Sequence, residues 1–376
     1  MEHILQTAPE DLTPVRRAGC PCGHAVRHSV RRNQEILSDG ESENMATIQD
    51  VAKHAQVGVG TVSRVLSGKG YVKAETRQKI QASIEELNYT PNEMARNLFF
   101  QKSGIVAVIV PEVAHPFFAQ FVNAAEMVLC EKGYQTMICN TYYEQNYEQR
   151  YLEMLKRRRV DGIIFGAHTV LDISQYENIH LPIVALDRDL GESIPCVSVD
   201  HRAGGRMAAE ELIRSGCRKV LQFVGSKRGT EVSTPANERH DVFEETMKKH
   251  GIPCRSVCAK WPTADISYYQ TTAARLLEDY PDIDGIFATD LMSMAVLQAA
   301  MLHRKRLPED LKLITYDGTN SIALTYPQIT AVVQPIERLA NEAVQLVVDL
   351  IDGKSIENKK VELQVVLRPG STTMGS

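Results

Sequence analysis

Eight short apolar runs constrain this chain more than any other feature: "IVAVIVP", "TMICN", "VDGIIFGA", "PIVALDR", "VLQFVG", "DGIFATD", "LKLITYDG" and "ITAVVQP". They are continuous rather than alternating, the pattern of strands buried on both faces. Between them lie helical stretches such as "FVNAAEMVLCEKG", "EQRYLEMLKRRR", "AGGRMAAEELIRSG" and "ERLANEAVQLVVDLIDG". Strands spaced by helices predict parallel sheet covered on both faces. About 270 residues of this pattern exceed one comfortable sheet, so two similar α/β lobes are expected.

Ahead of the first run the period becomes helical. "TIQDVAKHAQV" places Ile48, Val51, Ala52 and Ala55 on one face, with Thr47 as N-cap. "VGTVSRVLSG" gives Val62, Val65 and Leu66 a similar stripe closed by Gly68, and "KAETRQKIQASIEELNY" turns Ile80, Ile84 and Leu87 inward. Three short helices, the first two joined by a tight turn, predict a helix-turn-helix domain over residues 45–90. The mouth of its second helix is Gly58, Val59 and Gly60, with almost no hydrogen-bonding side chains.

Charge divides along the same line. The whole chain carries −5. Residues 45–104 hold 8 Lys and Arg against 5 Asp and Glu, a net +3, and the rest from Ile105 holds 29 against 35, a net −6. A small basic head on an acidic body points to the head as the part that meets a polyanion.

Residues 1–44 mix Pro, Gly, Ser, Arg and Glu without apolar periodicity, and are expected to be a disordered extension. Within them "CPCGHAVRH" spaces Cys20, Cys22, His24 and His28 in a C-x-C and H-x3-H pattern that is not a structural zinc signature, so no metal is expected. No run of 18 apolar residues predicts a membrane span, and no basic start followed by an apolar core predicts a secretory signal. The eight cysteines are mostly isolated, as in a reducing compartment, and the expected location is the cytoplasm. No G-x-S-x-G elbow, Walker loop or dinucleotide fingerprint is present. His115 and Asp317 lack a nucleophile or metal partner, so neither an enzyme nor a cofactor is expected.

The segments "DVAKHAQV", "TVSRVL", "ETRQKI", "ELNYTPNEMARNL", "KRRRVDGIIF", "PIVALDR" and "LITYDG" together resemble the lactose-repressor/galactose-repressor family of bacterial transcription factors, from about Thr47 to Arg368. The resemblance implies an all-α helix-turn-helix head, a hinge over 91–104, and an effector-binding and dimerisation body over 105–370. That body would be α/β and two-lobed, like the periplasmic binding proteins, with parallel sheets and three crossover segments. The lobes are expected at about 105–199 with 319–333, and at 200–318 with 334–368. The implied function is a sequence-specific DNA-binding regulator, a repressor of carbohydrate-utilisation genes controlled by a sugar or sugar phosphate in the interlobe cleft. Two alternatives stand beside it: a soluble sugar-binding receptor, which would carry a leader or anchor and no helical head, and a regulator whose corepressor is a phosphocarrier protein.

By the same resemblance the second helix enters the major groove with Val59, Gly60 and Arg64 at base-reading positions. The Arg64 guanidinium suits guanine and the Val59 methyls suit thymine. Thr47, Thr61, Ser63, Tyr71 and Thr76 fall where the family contacts phosphates, although Thr61 and Ser63 equally suit capping. In the hinge, Asn92 and Arg96 would meet the backbone or groove edge, Leu98 would wedge into a base step, and Ala95 is a further DNA-binding position. Two wedges acting together imply a homodimer on a near-palindromic operator. In the body, His115, Phe117, Phe118, Asp187, Arg188, Arg239, Trp261, Asp290, Asp317 and Gln334 would line the cleft. Aromatic faces against sugar CH groups, with charged planar groups on paired hydroxyls, suit a sugar, including a disaccharide. Phe117 also suits a core position, and Asp187 and Asp290 suit helix caps.

Overall fold

The computed structural model describes residues 46–67, 70–89, 102–142, 145–157, 159–166, 181–224, 234–258 and 265–373. The chain divides into two compact units, Met1–Asn92 and Glu93–Ser376.

The first unit holds α1 (Ile48–His54), α2 (Val59–Ser67) and α3 (Ala74–Glu86). Thr47 caps α1 in a full capping box: its hydroxyl accepts from the Asp50 N–H, and the Asp50 carboxylate accepts from the Thr47 N–H. Val51, Ala52, Ala55, Val62, Ile80 and Tyr89 form the core, with Ile48, Val65, Leu66, Ile84 and Leu87 packed around it. Every apolar position that the helical period turns inward belongs to this cluster.

The second unit contains two six-stranded sheets. In the first lobe the order is β11 (Lys360–Leu363), β5 (Cys196–Val199), β4 (Ile183–Leu186), β3 (Gly162–Phe165), β1 (Ile105–Val110) and β2 (Gln135–Asn140), all parallel. In the second it is β12 (Val366–Arg368), β10 (Thr330–Val333), β9 (Lys312–Asp317), β8 (Gly285–Thr289), β6 (Val220–Val224) and β7 (Cys254–Cys258). Only β12 runs antiparallel in that sheet, against β10. Helices α4 (Pro116–Glu131), α5 (Gln145–Lys156) and α10 (Ile336–Ile351) serve the first lobe. The second lobe carries α6 (His201–Arg214), α7 (Glu238–Lys249), α8 (Ile266–Asp279) and α9 (Asp290–Leu302).

The lobes repeat one local device. Asp161 accepts the Ser103 and Gly104 N–H groups ahead of β1, and Asp284 accepts the Arg218 and Lys219 N–H groups ahead of β6. Each aspartate precedes a glycine opening a central strand. A Cβ on Gly162 would lie 2.7 Å from Val347, and one on Gly285 would lie 2.7 Å from the Cys217 sulfur. The two glycines let a covering layer sit directly on the sheet.

The lobe boundaries expected for the C-terminal third are reversed. Thr330–Val333 pairs with β9 in the second lobe, so 319–333 does not return to the first. The chain crosses at Gln334 and Pro335, places α10 on the first sheet, and adds β11 beside β5. It crosses back to form β12. With the crossing at Asp200, three segments join the lobes. A buried strand's pattern identifies it as a strand, but its neighbour is set by pairing with residues far away in sequence, which no local period encodes.

Candidate functional sites in the head and the interlobe cleft

On α2 the Gly58 carbonyl accepts from the Thr61 and Val62 N–H groups, which makes Gly58 the residue that starts the helix. Val62 is fully buried, while Val59 is 43% exposed and Gly60 and Arg64 are exposed. Thr61 and Ser63 are half-buried. A Cβ on Gly58 or Gly60 would meet nothing within 4 Å. The mouth of this helix is therefore an open, nearly side-chain-free surface, able to approach another molecule by its backbone. The Arg64 stem passes the Gly70 backbone, where φ is +88° and a Cβ would lie 3.5 Å from Arg64 Cδ. Tyr71 is 89% exposed and Thr76 half-buried. The Thr47 hydroxyl is engaged with Asp50 at 2.6 Å. Asn92, Ala95, Arg96 and Leu98, like Trp261 and the Cys20–His28 cluster, lie outside the described residues.

In the body His115, Asp187, Asp290, Asp317 and Gln334 lie at or just after the carboxyl ends of strands, where open parallel sheets take ligands. His115 follows β1 as the N-cap of α4, 5% exposed, and its Nδ1 has no hydrogen-bond partner. Burial holds its imidazole below the ordinary range, with Asp317 pulling it up and Arg239 pushing it down. A first-lobe histidine is thus within electrostatic reach of two second-lobe groups. Phe117 and Phe118 are buried in the core cluster and meet edge to face at 5.2 Å; Phe118 lies 5.7 Å from the His115 ring.

Asp187 ends β4 with a φ of +50°, and its Oδ1 accepts from His201 Nε2 at 3.0 Å. Arg188 Nη1 bonds Glu148 Oε1 at 3.3 Å, and its guanidinium lies 5.2 Å from the Phe165 ring centroid. Arg239 lies over the Tyr316 ring at 4.5 Å, with its Nε 3.3 Å from His240 Nε2. Asp290 takes hydrogen bonds from Thr315 Oγ1, the Gly318 N–H, and both the N–H and Oγ1 of Thr319. Its carboxyl is raised by burial and by Asp317, against the lowering pull of the Thr319 and Thr315 bonds. Asp290 therefore organises the turn after β9. Asp317, at φ +91°, accepts from Gln334 Nε2 at 2.8 Å.

The pattern of unmet polar atoms is specific. Among the described residues, buried side-chain atoms without a partner include His115 Nδ1, Thr141 Oγ1, Glu148 Oε2, Thr234 Oγ1, Ser293 Oγ and Gln334 Oε1. Thr141 follows β2, Glu148 lies in the first turn of α5, Thr234 precedes α7, Ser293 lies in the first turn of α9, and Gln334 follows β10. Five of the six lie between a strand's end and the first turn of the next helix, Thr234 lies just ahead of α7, and two further such atoms, Thr136 Oγ1 and Arg368 Nε, lie within β2 and β12. An unpaired buried polar atom costs about 1–3 kcal/mol, so such a set is what a hydroxyl-rich ligand would satisfy. Sequence reasoning missed Thr141, Glu148, Thr234 and Ser293, and also His201 and Tyr316. The first four share one legible signal, a polar residue at a strand-to-helix junction; the last two have none, because their meaning lies in a long-range contact.

Comparison with known proteins agrees with both halves. The family described as "Bacterial regulatory proteins, lacI family" matches residues 47–92, and a periplasmic binding protein-like domain matches residues 209–373. The ribose operon repressor of Halalkalibacterium halodurans is 38% identical over 332 residues, covering 88% of this chain and 98% of that protein. A periplasmic binding protein/LacI transcriptional regulator from Alkaliphilus metalliredigens, solved with D-xylulofuranose, matches with a TM-score of 0.65 at 28% identity, covering 73% of this chain and 100% of that one. The lac repressor dimer bound to operator shares the fold at a TM-score of 0.75 and 22% identity, covering 88% of this chain and 100% of the other.

Proposed function

Because this chain belongs to the lacI family of bacterial regulatory proteins, and so is a DNA-binding transcriptional regulator, we propose that it represses genes of pentose use and that D-ribose or a close relative is its effector. The observation that carries the reading is the set of unmet buried polar atoms that precede or open helices in both lobes. Hydroxyl groups both donate and accept, so one polyhydroxyl ligand can satisfy acceptors such as Glu148 Oε2 and Gln334 Oε1 together with the hydroxyls of Thr141, Thr234 and Ser293. Arg239, fixed on the Tyr316 ring, and Asp317, oriented by Gln334, supply charge-assisted partners for hydroxyl pairs.

The head acts through Arg64 and the backbone of Gly58–Gly60, with Leu98 as the hinge wedge. The active form is a homodimer on a near-palindromic site in the cytoplasm, with catalysis no part of its role. A ligand that prefers one lobe arrangement shifts operator affinity by its differential affinity for the two states.

The test is operator selection from random DNA at stated salt, followed by titration calorimetry with D-ribose, D-xylulose, sucrose and cellobiose. D-Ribose is expected to bind and to change operator affinity. A panel in which no sugar binds removes the sugar reading. Operator affinity that does not fall as salt rises removes the phosphate-driven DNA reading.

A further inference from the structure

A chain of side chains runs from the cleft to the first crossing between the lobes. Tyr316, on β9 of the second lobe, is fully buried beneath the Arg239 guanidinium at 4.5 Å. Its hydroxyl lies 2.9 Å from His201 Nδ1, and the two rings stack with centroids 5.9 Å apart at 25°. His201 is the first residue of α6, directly after the crossing at Asp200. Its Nε2 reaches across to Asp187, at the end of β4 in the first lobe, at 3.0 Å.

The donors and acceptors fix the direction of this chain. A carboxylate only accepts, so Nε2–H donates to Asp187, and in the neutral ring Nδ1 is left as the acceptor. The phenol is buried against Asp187, Asp317 and Asp200, with Arg239 opposing them, and burial raises it well above its ordinary value, so it keeps its proton and donates to Nδ1. Each link is therefore used once and in one sense: Tyr316 O–H to His201, His201 N–H to Asp187. The surroundings hold the rings in place. A Cβ on Gly204 would lie 2.7 Å from Tyr316 Cε2, and one on Gly205 would lie 2.1 Å from the Arg239 carbonyl oxygen. Helix α6 thus touches both the ring and the residue that grips it.

We propose that Tyr316, His201 and Asp187 form a relay that ties the position of Arg239 in the second lobe to the first lobe, with His201 as the positioning residue that couples cleft occupancy to the lobe angle. It rests on reading the cleft as the ligand site. Moving Arg239 onto a ligand shifts the Tyr316 ring beneath it. The ring carries the His201 bond with it, and His201 sits at the hinge point of the crossing. A continuous bonded path between two rigid lobes has two arrangements, bonded or broken, and a ligand can select between them.

The test uses the full chain, a selected operator fragment and D-ribose as the probe. Tyr316→Phe keeps the ring under Arg239 and removes only the hydroxyl. His201→Gln keeps a donor near the Nε2 position, and His201→Asn keeps a group near Nδ1, so each cuts one end. Ile286→Val is the control for a purely structural loss. The ratio of operator affinities with and without saturating ribose is expected to fall to within about twofold of unity in all three relay variants. It should stay at the wild-type value in the control, with ligand-free operator affinity within about twofold of wild type throughout. A ratio that survives all three relay changes overturns the proposal. A second readout needs no effector: hydrogen exchange of the ligand-free chain at Ala203, whose N–H is held by the Asp200 carboxylate at 2.7 Å. Exchange there should rise about tenfold in Tyr316→Phe and in His201→Gln but not in the control. Unchanged exchange overturns the relay whatever ribose does. Failure of ribose to bind alongside raised exchange overturns the choice of effector alone.

Discussion

An added Cβ at Gly205 would lie 2.1 Å from the carbonyl oxygen of Arg239, closer than any side chain tolerates. The contact is with backbone, so α7 must move to relieve it. Replacing a helical glycine by alanine ordinarily stabilises by about 0.5–1 kcal/mol. Here the sign should invert: Gly205→Ala is expected to lose about 1–3 kcal/mol, as overpacked interiors do. It should also displace Arg239 from the Tyr316 ring, so affinity for the proposed effector should fall more steeply than stability alone explains. Urea denaturation beside calorimetry checks both; a stabilised variant with wild-type affinity contradicts the close packing.

What was legible in the sequence follows a physical divide. The eight continuous apolar runs all became strands; in seven of them burial on both faces writes itself into most positions, while β2 is a half-exposed edge strand. Strands β5, β7, β11 and β12 were not legible. Their burial alternates or fades, as in Cys196–Val199 and Cys254–Cys258, since they lie towards the sheet edges and share their faces with solvent. Asp317 and Gln334 were singled out by the family resemblance, and the structure bonds them to each other. His201 was not, because a histidine opening a helix says nothing until Asp187 and Tyr316 are brought to it.

Gly60 is open where Gly205 is closed. A Cβ there meets nothing within 4 Å, in the first turn of α2. Gly60→Ala is expected to stabilise the head by up to about 1 kcal/mol. If the bare backbone is what meets the operator, the same change should weaken operator binding while thermal stability rises. Gly60→Gln should instead create a preference at the facing base pair. Selection from random DNA with each variant reads this directly; an operator profile identical to wild type in both places Gly60 away from the groove.

Glu148 makes stability depend on pH. Burial raises its carboxyl from about 4.5 to about 7, against the lowering pull of Arg188. A folded value above the unfolded one means that the native state binds the extra proton. The contribution is therefore complete below about pH 4.5 and is lost as pH rises through about 7. The loss is on the order of 3 kcal/mol across that window, for a side chain that is fully buried. Glu148→Gln, the isostere of the protonated carboxyl, should match wild type near pH 5 and exceed it near pH 7.5, and its stability should not carry this downward slope. Denaturant midpoints from pH 4.5 to 7.5 test it; parallel curves for the two proteins remove Glu148 as the source.

Leu324 and Tyr326 are 94% and 89% exposed, two residues apart after β9. Two large apolar side chains this bare and this close are a candidate for a surface that a second copy covers. In a homodimer the same patch meets itself or its symmetry mate, and each copy contributes one head to the operator. If the proposed homodimer closes through this patch, Leu324→Asp with Tyr326→Glu is expected to leave a monomer in sedimentation at micromolar concentration, with little change in the thermal midpoint of the subunit. Operator affinity should fall at least about tenfold, because the second half-site is no longer bound at the high effective concentration that linkage provides. Binding should also become second order in protein. A double variant that stays dimeric and holds the operator as tightly as wild type assigns the interface to another face.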